Sequence, residues 1–246
     1  MPPFFSFLVC ALVRLMINFS RLLALPISIA LLCVAAASQE TVFNVPSGDV
    51  LDRGKVYTEL DVTANPNTDI AGFTPRIMAG IGHAIEVGIN LNGLGTRGPV
   101  QTTPTPTLKW RPYNDAERGW AFLVGDDVFF PAQNRTYDAG NYFYAEVTKT
   151  WRKKTRATLG AYDFTHSVVS TGQRAGGQFA IEQPAGARIT LAADWFTGNH
   201  SLGFVTPGVI VKITLKITWY GSYQIGNRGV LSGNHQFLFE LGWNIN

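Results

Sequence analysis

Apolar and polar side chains alternate along most of this chain with a period of two. The closing stretch shows it plainly: Phe237, Phe239, Leu241, Trp243 and Ile245 share one face, and Gln236, Glu240, Gly242 and Asn244 share the other, with Leu238 the one exception. That period belongs to strands, and no stretch after residue 39 carries helical periodicity or eighteen consecutive apolar residues. Twelve segments bounded by Gly, Asn, Pro and Asp clusters emerge, at about 54–64, 73–82, 85–93, 105–113, 120–130, 141–151, 156–164, 174–183, 188–197, 204–213, 216–226 and 234–245. Segment 120–130 starts apolar on both faces, and its Asp126-Asp127 pair reads as a bulge that resets the alternation. The boundary at Thr214 and Leu215 has no turn residue.

The connections between these segments alternate in length. Those at 65–72, 94–104, 131–140, 165–173, 198–203 and 227–233 are long, and those at 83–84, 114–119, 152–155, 184–187 and 214–215 are short. Short turns at one end, long loops at the other and an even strand number are the rule of outer-membrane barrels, whereas a soluble Greek-key sandwich follows no such rule. Strand length agrees, because a strand tilted by ~40° needs ~10 residues to cross a ~25 Å apolar band. The expected fold is therefore all-β: a closed, antiparallel up-and-down transmembrane β-barrel of about 12 strands, with the last segment pairing with the first.

With the apolar set facing lipid, thirteen charged side chains share the lumen parity: Glu59, Asp61, Arg76, Glu86, Lys109, Arg111, Glu146, Arg156, Glu182, Arg188, Asp194, Lys212 and Glu240. A basic side chain on the lipid face near mid-bilayer costs roughly 2–4 kcal/mol, so this sharing predicts a polar interior. Lys149 and Asp163 break the parity, but near strand ends, where the cost falls to ~0–1 kcal/mol and a lysine can snorkel. Trp110, Trp120, Trp151, Trp219 and Trp243 fall near the short turns, as in an aromatic girdle, and Trp195 near the long loops. Pro75, Pro106, Pro112 and Pro207 fall inside strands, where each removes a ladder hydrogen bond, and are expected at bulges or frayed rims.

Upstream of the strands, an apolar run at 22–34 follows Arg21 and closes in small residues at 35–38. This reads as a secretory signal peptide over 1–38, with Met16 a candidate start. Residues 39–53 are then expected as a periplasmic N-terminal segment, and 54–246 as the barrel. Both cysteines, Cys10 and Cys33, lie in the leader, so no disulfide holds the exported chain. With 12% aromatic and only 15% charged residues the chain is not disordered. Its formal charge of +3 drops by two when Arg14 and Arg21 leave with the leader, which gives no reason to invoke nucleic acid.

The leader, the alternation and the final strand together resemble bacterial outer-membrane β-barrel proteins, in particular small porin-like and transporter barrels of about twelve strands. The resemblance covers residues 54–246 and departs at Asn246, where that group usually carries a terminal aromatic read by the assembly machinery. It implies a bacterial outer-membrane location, with membrane lipid, the barrel-assembly machinery and possible small solutes as partners. Twelve-stranded barrels include a phospholipase with a serine, a histidine and an amide residue on its outer wall. The local pieces here, His166-Ser167 and Asn199-His200-Ser201, form no such motif, and no enzyme activity is expected. His83, His166, His200 and His235 are scattered singly, so no metal or cofactor is expected, and the histidines of the two Gly-Asn-His triplets, 198–200 and 233–235, read as solvated. Asp126-Asp127 reads as structural in preference to an acid pair or a cation site at a pore mouth.

The expected function is a narrow channel or porin-like transporter for small solutes, with the inward charges as its filter. Two alternatives stand beside it: a barrel plugged by a charge-paired network with a structural, binding or hydrophobic-transport role, and a secreted soluble β-sandwich.

Overall fold

The computed structural model describes residues 39–245, apart from 69, 97–101, 133–137, 153, 170–171 and 229–233. The expected leader and Asn246 lie outside the described residues. The strands are β1 (Val56–Ala64), β2 (Ala71–Gly82), β3 (Ile85–Asn92), β4 (Leu94–Gly95), β5 (Thr103–Asp115), β6 (Trp120–Phe129), β7 (Gly140–Thr150), β8 (Arg156–Phe164), β9 (Ala175–Pro184), β10 (Ile189–Phe196), β11 (Phe204–Lys212), β12 (Ile217–Gly226) and β13 (His235–Asn244). The two-residue β4 resumes the course of β3 beyond Gly93, pairing Leu94 with Phe73 and Gly95 with Gly72, so the barrel has twelve staves. Each stave pairs antiparallel with its neighbours in sequence, and β1 pairs with β13 from Tyr57–Asn244 to Ala64–Phe237. That last ladder closes the sheet and leaves no edge. One helical turn, His166–Val169, lies in the long loop after β8.

The outer face is apolar. Along β13, Phe237, Phe239, Leu241 and Trp243 are exposed, while Leu238 and Glu240 between them are buried inside. Leu60, Ile77, Leu108, Leu159, Ile181 and Leu191 continue the band around the other staves. An exterior this greasy is stable only against lipid, and it excludes the soluble sandwich. Five of the six tryptophans sit at the short-turn end, Trp120 and Trp243 in first or near-terminal strand positions. Lys149 reaches over the Trp120 ring, 4.5 Å from its centroid, and donates to the Arg118 carbonyl, which carries its ammonium toward the rim. Asp163 is exposed near the end of β8.

Two local readings are corrected. β6 pairs with β7 without a register shift from Trp120–Lys149 to Phe129–Gly140, so Asp126-Asp127 makes no bulge. The irregularity lies in the neighbouring strand, between Trp110 and Tyr113 of β5 opposite Phe122 and Val124, where Pro112 sits. The prolines are also not confined to the rims. Pro75 pairs with Leu60 where the β3 and β4 ladders leave a gap, Pro106 pairs with Ile89 just outside the β5–β6 ladder, and Pro207 pairs with Ala193 where the β11–β12 ladder skips from Val205 to Gly208. Each lies where one of its two ladders is interrupted, so its missing N–H orphans no partner. The turn after β11 is shaped by a side chain: Thr214 Oγ1 accepts from the N–H groups of Lys216 and Ile217 at 3.1 and 2.9 Å, and Leu215 at its tip is 85% exposed.

The largest correction concerns residues 39–53. Far from lying in the periplasm ahead of the barrel, residues 39–51 of this segment run inside it: Val42, Phe43 and Val45 are 0–1% exposed, and the chain emerges at the exposed Asp52 and Arg53. A tight reversal, with Val42 N–H donating to the Val45 carbonyl and Thr41 bridged to Pro46, folds it into a hairpin that fills the lumen.

Phe239 lies midway along β13 on the lipid face. Phe239→Arg is therefore expected to lower folding stability in lipid vesicles by about 2–4 kcal/mol in urea titrations. A loss below 0.5 kcal/mol would place that face away from the bilayer.

Candidate functional site

The lumen wall carries charge and the hairpin carries backbone groups that need partners. Phe43, Asn44 and Val45 donate their N–H groups to Oδ2 of Asp194 on β10, at 3.0, 2.5 and 2.9 Å, and the Asn44 side chain donates to Oδ1 at 3.1 Å. One carboxylate thus caps the hairpin tip. The Asn44 amide also donates to Thr206 on β11 and accepts from Gln224 on β12. Gly208 of β11 gives the Phe43 ring its space, since a Cβ there would meet Cζ at 2.5 Å.

Lower in the lumen, cations take the carbonyls. Lys109 on β5 donates to the carbonyls of Glu40 and Asp49, at 2.9 and 3.2 Å, and pairs with Glu86 on β3 at 3.3 Å. Glu86 in turn accepts from the Leu51 N–H at 2.8 Å. Arg111 donates to the Gly48 carbonyl at 3.2 Å. Arg156 on β8 joins Glu182 on β9 to Asp49 of the hairpin segment, at 2.7 Å from the latter. Arg76 on β2 holds Asp61 at 2.5 Å, Glu40 at 3.3 Å and Glu59 at 3.9 Å. Burial pushes the Glu40 carboxyl above its ordinary range, with Arg76 and Lys109 opposing the shift.

Eleven of the thirteen side chains assigned to the lumen by parity are thereby placed inside it: Glu59, Asp61, Arg76, Glu86, Lys109, Arg111, Glu146, Arg156, Glu182, Asp194 and Glu240. Glu146 accepts from Gln178, and Glu240 is 1% exposed with neither oxygen hydrogen-bonded among the described residues. Arg188 is not among them. It lies in the exposed turn before β10, because the strand begins one residue later. Lys212 ends β11 half-exposed, and the network reaches neither residue.

The parity count also missed acids. Asp127 faces the lumen from β6, and Glu40 and Asp49 enter with the hairpin. Among the described residues the interior then holds ten carboxylates, from Glu40, Asp49, Glu59, Asp61, Glu86, Asp127, Glu146, Glu182, Asp194 and Glu240, against Arg76, Lys109, Arg111 and Arg156. The near balance expected from sequence becomes an acidic excess. A sequence signal for the hairpin did exist. Inward-facing Met78, Ala121, Leu123 and Leu238 break the polar parity, and each packs in a lumen cluster with a residue of this segment: Leu51 for Met78, Val50 for Ala121 and Leu123, and Val42, Phe43 and Val45 for Leu238.

Above the hairpin, toward the long loops, the lumen opens into a cavity of about 340 Å³. One wall is polar, with Thr63, Thr74, Asn90, Asn92, Gln224 and Gln236; the other is aromatic, with Phe129, Tyr142, Tyr144, Phe164 and Phe196. The rings brace one another: Tyr142 stacks on Tyr144 and on Phe164 at 5.0 and 4.9 Å between centroids. Tyr142 also donates its hydroxyl to Gln178 at 2.8 Å.

The histidines do not converge, and two differ from expectation. His200 and His235 are buried, not solvated: His200 lies 2.8 Å from the Tyr162 hydroxyl, and His235 is bonded to Tyr223 and Asn67. Burial lowers the His200 imidazole below its ordinary range. Ser167 bonds to Thr165 and to the Ala139 carbonyl, not to a histidine.

No protein-family model matches the chain, and no curated protein does. Among solved structures it is similar to a KdgM porin in complex with disordered oligogalacturonate, at 8% identity over 77% of this chain and 99% of that one, with a TM-score of 0.57. It is also similar to the NanC porin, at 10% identity over 78% and 99% of the two chains, with a TM-score of 0.55. At these identities the likeness is one of fold. The architecture is that of the outer-membrane porin β-barrel.

Removing the Asp194 carboxylate leaves three buried N–H groups at the hairpin tip without their acceptor. Asp194→Ala is expected to destabilise the protein by on the order of 3 kcal/mol and to speed amide hydrogen exchange at residues 43–45 selectively. Unchanged exchange there would show that the carboxylate does not hold the hairpin.

Proposed function

We propose that this chain is a bacterial outer-membrane barrel that serves as a narrow porin-like channel for small solutes, with its bore closed by residues 39–51. The observation that carries this reading is a polar lumen that opens as a cavity toward the long loops and ends on a hairpin held by side chains of the wall. Twelve staves enclose a backbone diameter of roughly 24 Å and leave about 10 Å between inward side chains. The hairpin takes up that width, so passage requires it to move. It is held by hydrogen bonds and ion pairs as well as by the packing of Val42, Phe43 and Val45 in the apolar cluster, and the polar contacts can be exchanged for water. The porin neighbours favour a channel over an enzyme, and the lipid belt and assembly machinery are the partners such a barrel needs for insertion.

The oligogalacturonate of the first neighbour, a chain of sugar acids, is not carried across to this lumen, where carboxylates outnumber cations. The hairpin also favours a second reading, in which the barrel stays plugged and acts by binding alone.

Conductance in a planar bilayer separates the two. The full protein is expected to give small or infrequent steps, and a variant lacking residues 40–50 large, steady ones. If that variant keeps the heat-dependent gel migration of a folded barrel yet stays silent, the channel reading is wrong and the binding reading stands.

A further inference from the structure

We propose that the cavity above the hairpin is a binding site for a compact organic cation, an ammonium group borne on an apolar or aromatic body. The proposal rests on reading the long-loop mouth as the entrance for solute, and it names the class of solute. It begins with Asp127. Its carboxylate faces the cavity from β6, directly across the ladder from Tyr142 on β7. It has no hydrogen-bond or ion-pair partner among the described residues. Every other acid lining the cavity is engaged: Asp61 and Glu40 are held by Arg76.

The cations near the cavity cannot serve a ligand carboxylate or phosphate. Lys109 has three ammonium hydrogens, and Glu86 and the carbonyls of Glu40 and Asp49 take all three. Arg76 is enclosed by three carboxylates.

The aromatic wall supplies the complementary half. Tyr144 and Tyr142 stack side by side next to Asp127, with Phe164 stacked on Tyr142. Gly125, opposite Tyr144 in the ladder, gives that ring its space against β6, since a Cβ there would meet the ring at 2.1 Å. These rings give the apolar body of such a molecule a hydrophobic wall to pack on, and the Asp127 carboxylate beside them takes the ammonium group. The amides of Asn90, Asn92, Gln224 and Gln236 on the opposite wall can take the polar end of such a molecule.

Asp126 is the built-in control. It lies one residue away on the outer face and is occupied by Asn141 at 3.0 Å. The test is calorimetric titration of the full protein in detergent with phenyltrimethylammonium, benzyl alcohol and benzoate, on wild type, Asp127→Asn and Asp126→Asn, each first shown to be folded by its heat-dependent gel migration. Phenyltrimethylammonium is expected to bind at least tenfold more tightly than the other two, to weaken at least tenfold in Asp127→Asn, and to be unaffected in Asp126→Asn. Benzoate binding as tightly as the cation, no cation binding, or equal affinity in wild type and Asp127→Asn would overturn the proposal. Bilayer conductance of the same preparations keeps the two readings apart. Cation binding by a silent barrel leaves this site standing without the channel, and a conducting barrel indifferent to the cation leaves the channel standing without this site.

Discussion

A backbone amide facing hydrocarbon costs several kcal/mol unless the protein itself supplies its partner, and the architecture of this molecule follows from that demand. Twelve staves pair around a closed circuit, and the β1–β13 ladder removes the last edge. The same demand explains where the prolines sit. Pro75, Pro106, Pro112 and Pro207 occupy places where one ladder is already interrupted by a gap, an end or a register shift. Closure then forces the chain's alternation into two environments, with Phe237, Phe239 and Leu241 on lipid and Glu240 within.

The interior repeats the problem on a smaller scale. A barrel of this circumference is too wide for its own side chains to fill, and the chain fills it with its own upstream segment. That segment brings N–H and C=O groups into a space with little water, so the wall must answer them. Asp194 answers the N–H groups of residues 43–45, Glu86 that of Leu51, Lys109 the carbonyls of Glu40 and Asp49, and Arg111 that of Gly48. Much of what parity alone presents as a filter is therefore the hydrogen-bonding complement of a plug. Asp127, which the plug does not engage, lies beside its aromatic wall above the plug, where a solute can reach it.

The fold was legible because lipid reads one face of every strand: a misplaced charge near mid-bilayer is costly enough that alternation, strand length and the rhythm of the connections all survive in the sequence. Boundaries were recovered even at Thr214-Leu215, where the turn is made by a threonine hydroxyl. The site was legible only in part. Parity tells which side of the sheet a residue takes but not which of its fellows it meets, and Arg188 shows the limit, since a strand that starts one residue later leaves its side chain in a turn. Segment 120–130 looked ambiguous because Ala121 and Leu123 face Val50, a partner some seventy residues away.

By itself, then, the sequence determined a lipid-facing barrel of twelve staves with a polar inside, because those properties are periodic and are enforced residue by residue by a uniform solvent. Only the tertiary structure decided that residues 39–51 occupy the lumen, that carboxylates exceed cations there, and that Asp127 stands against Tyr142. Those depend on contacts between distant segments, which a period of two does not encode.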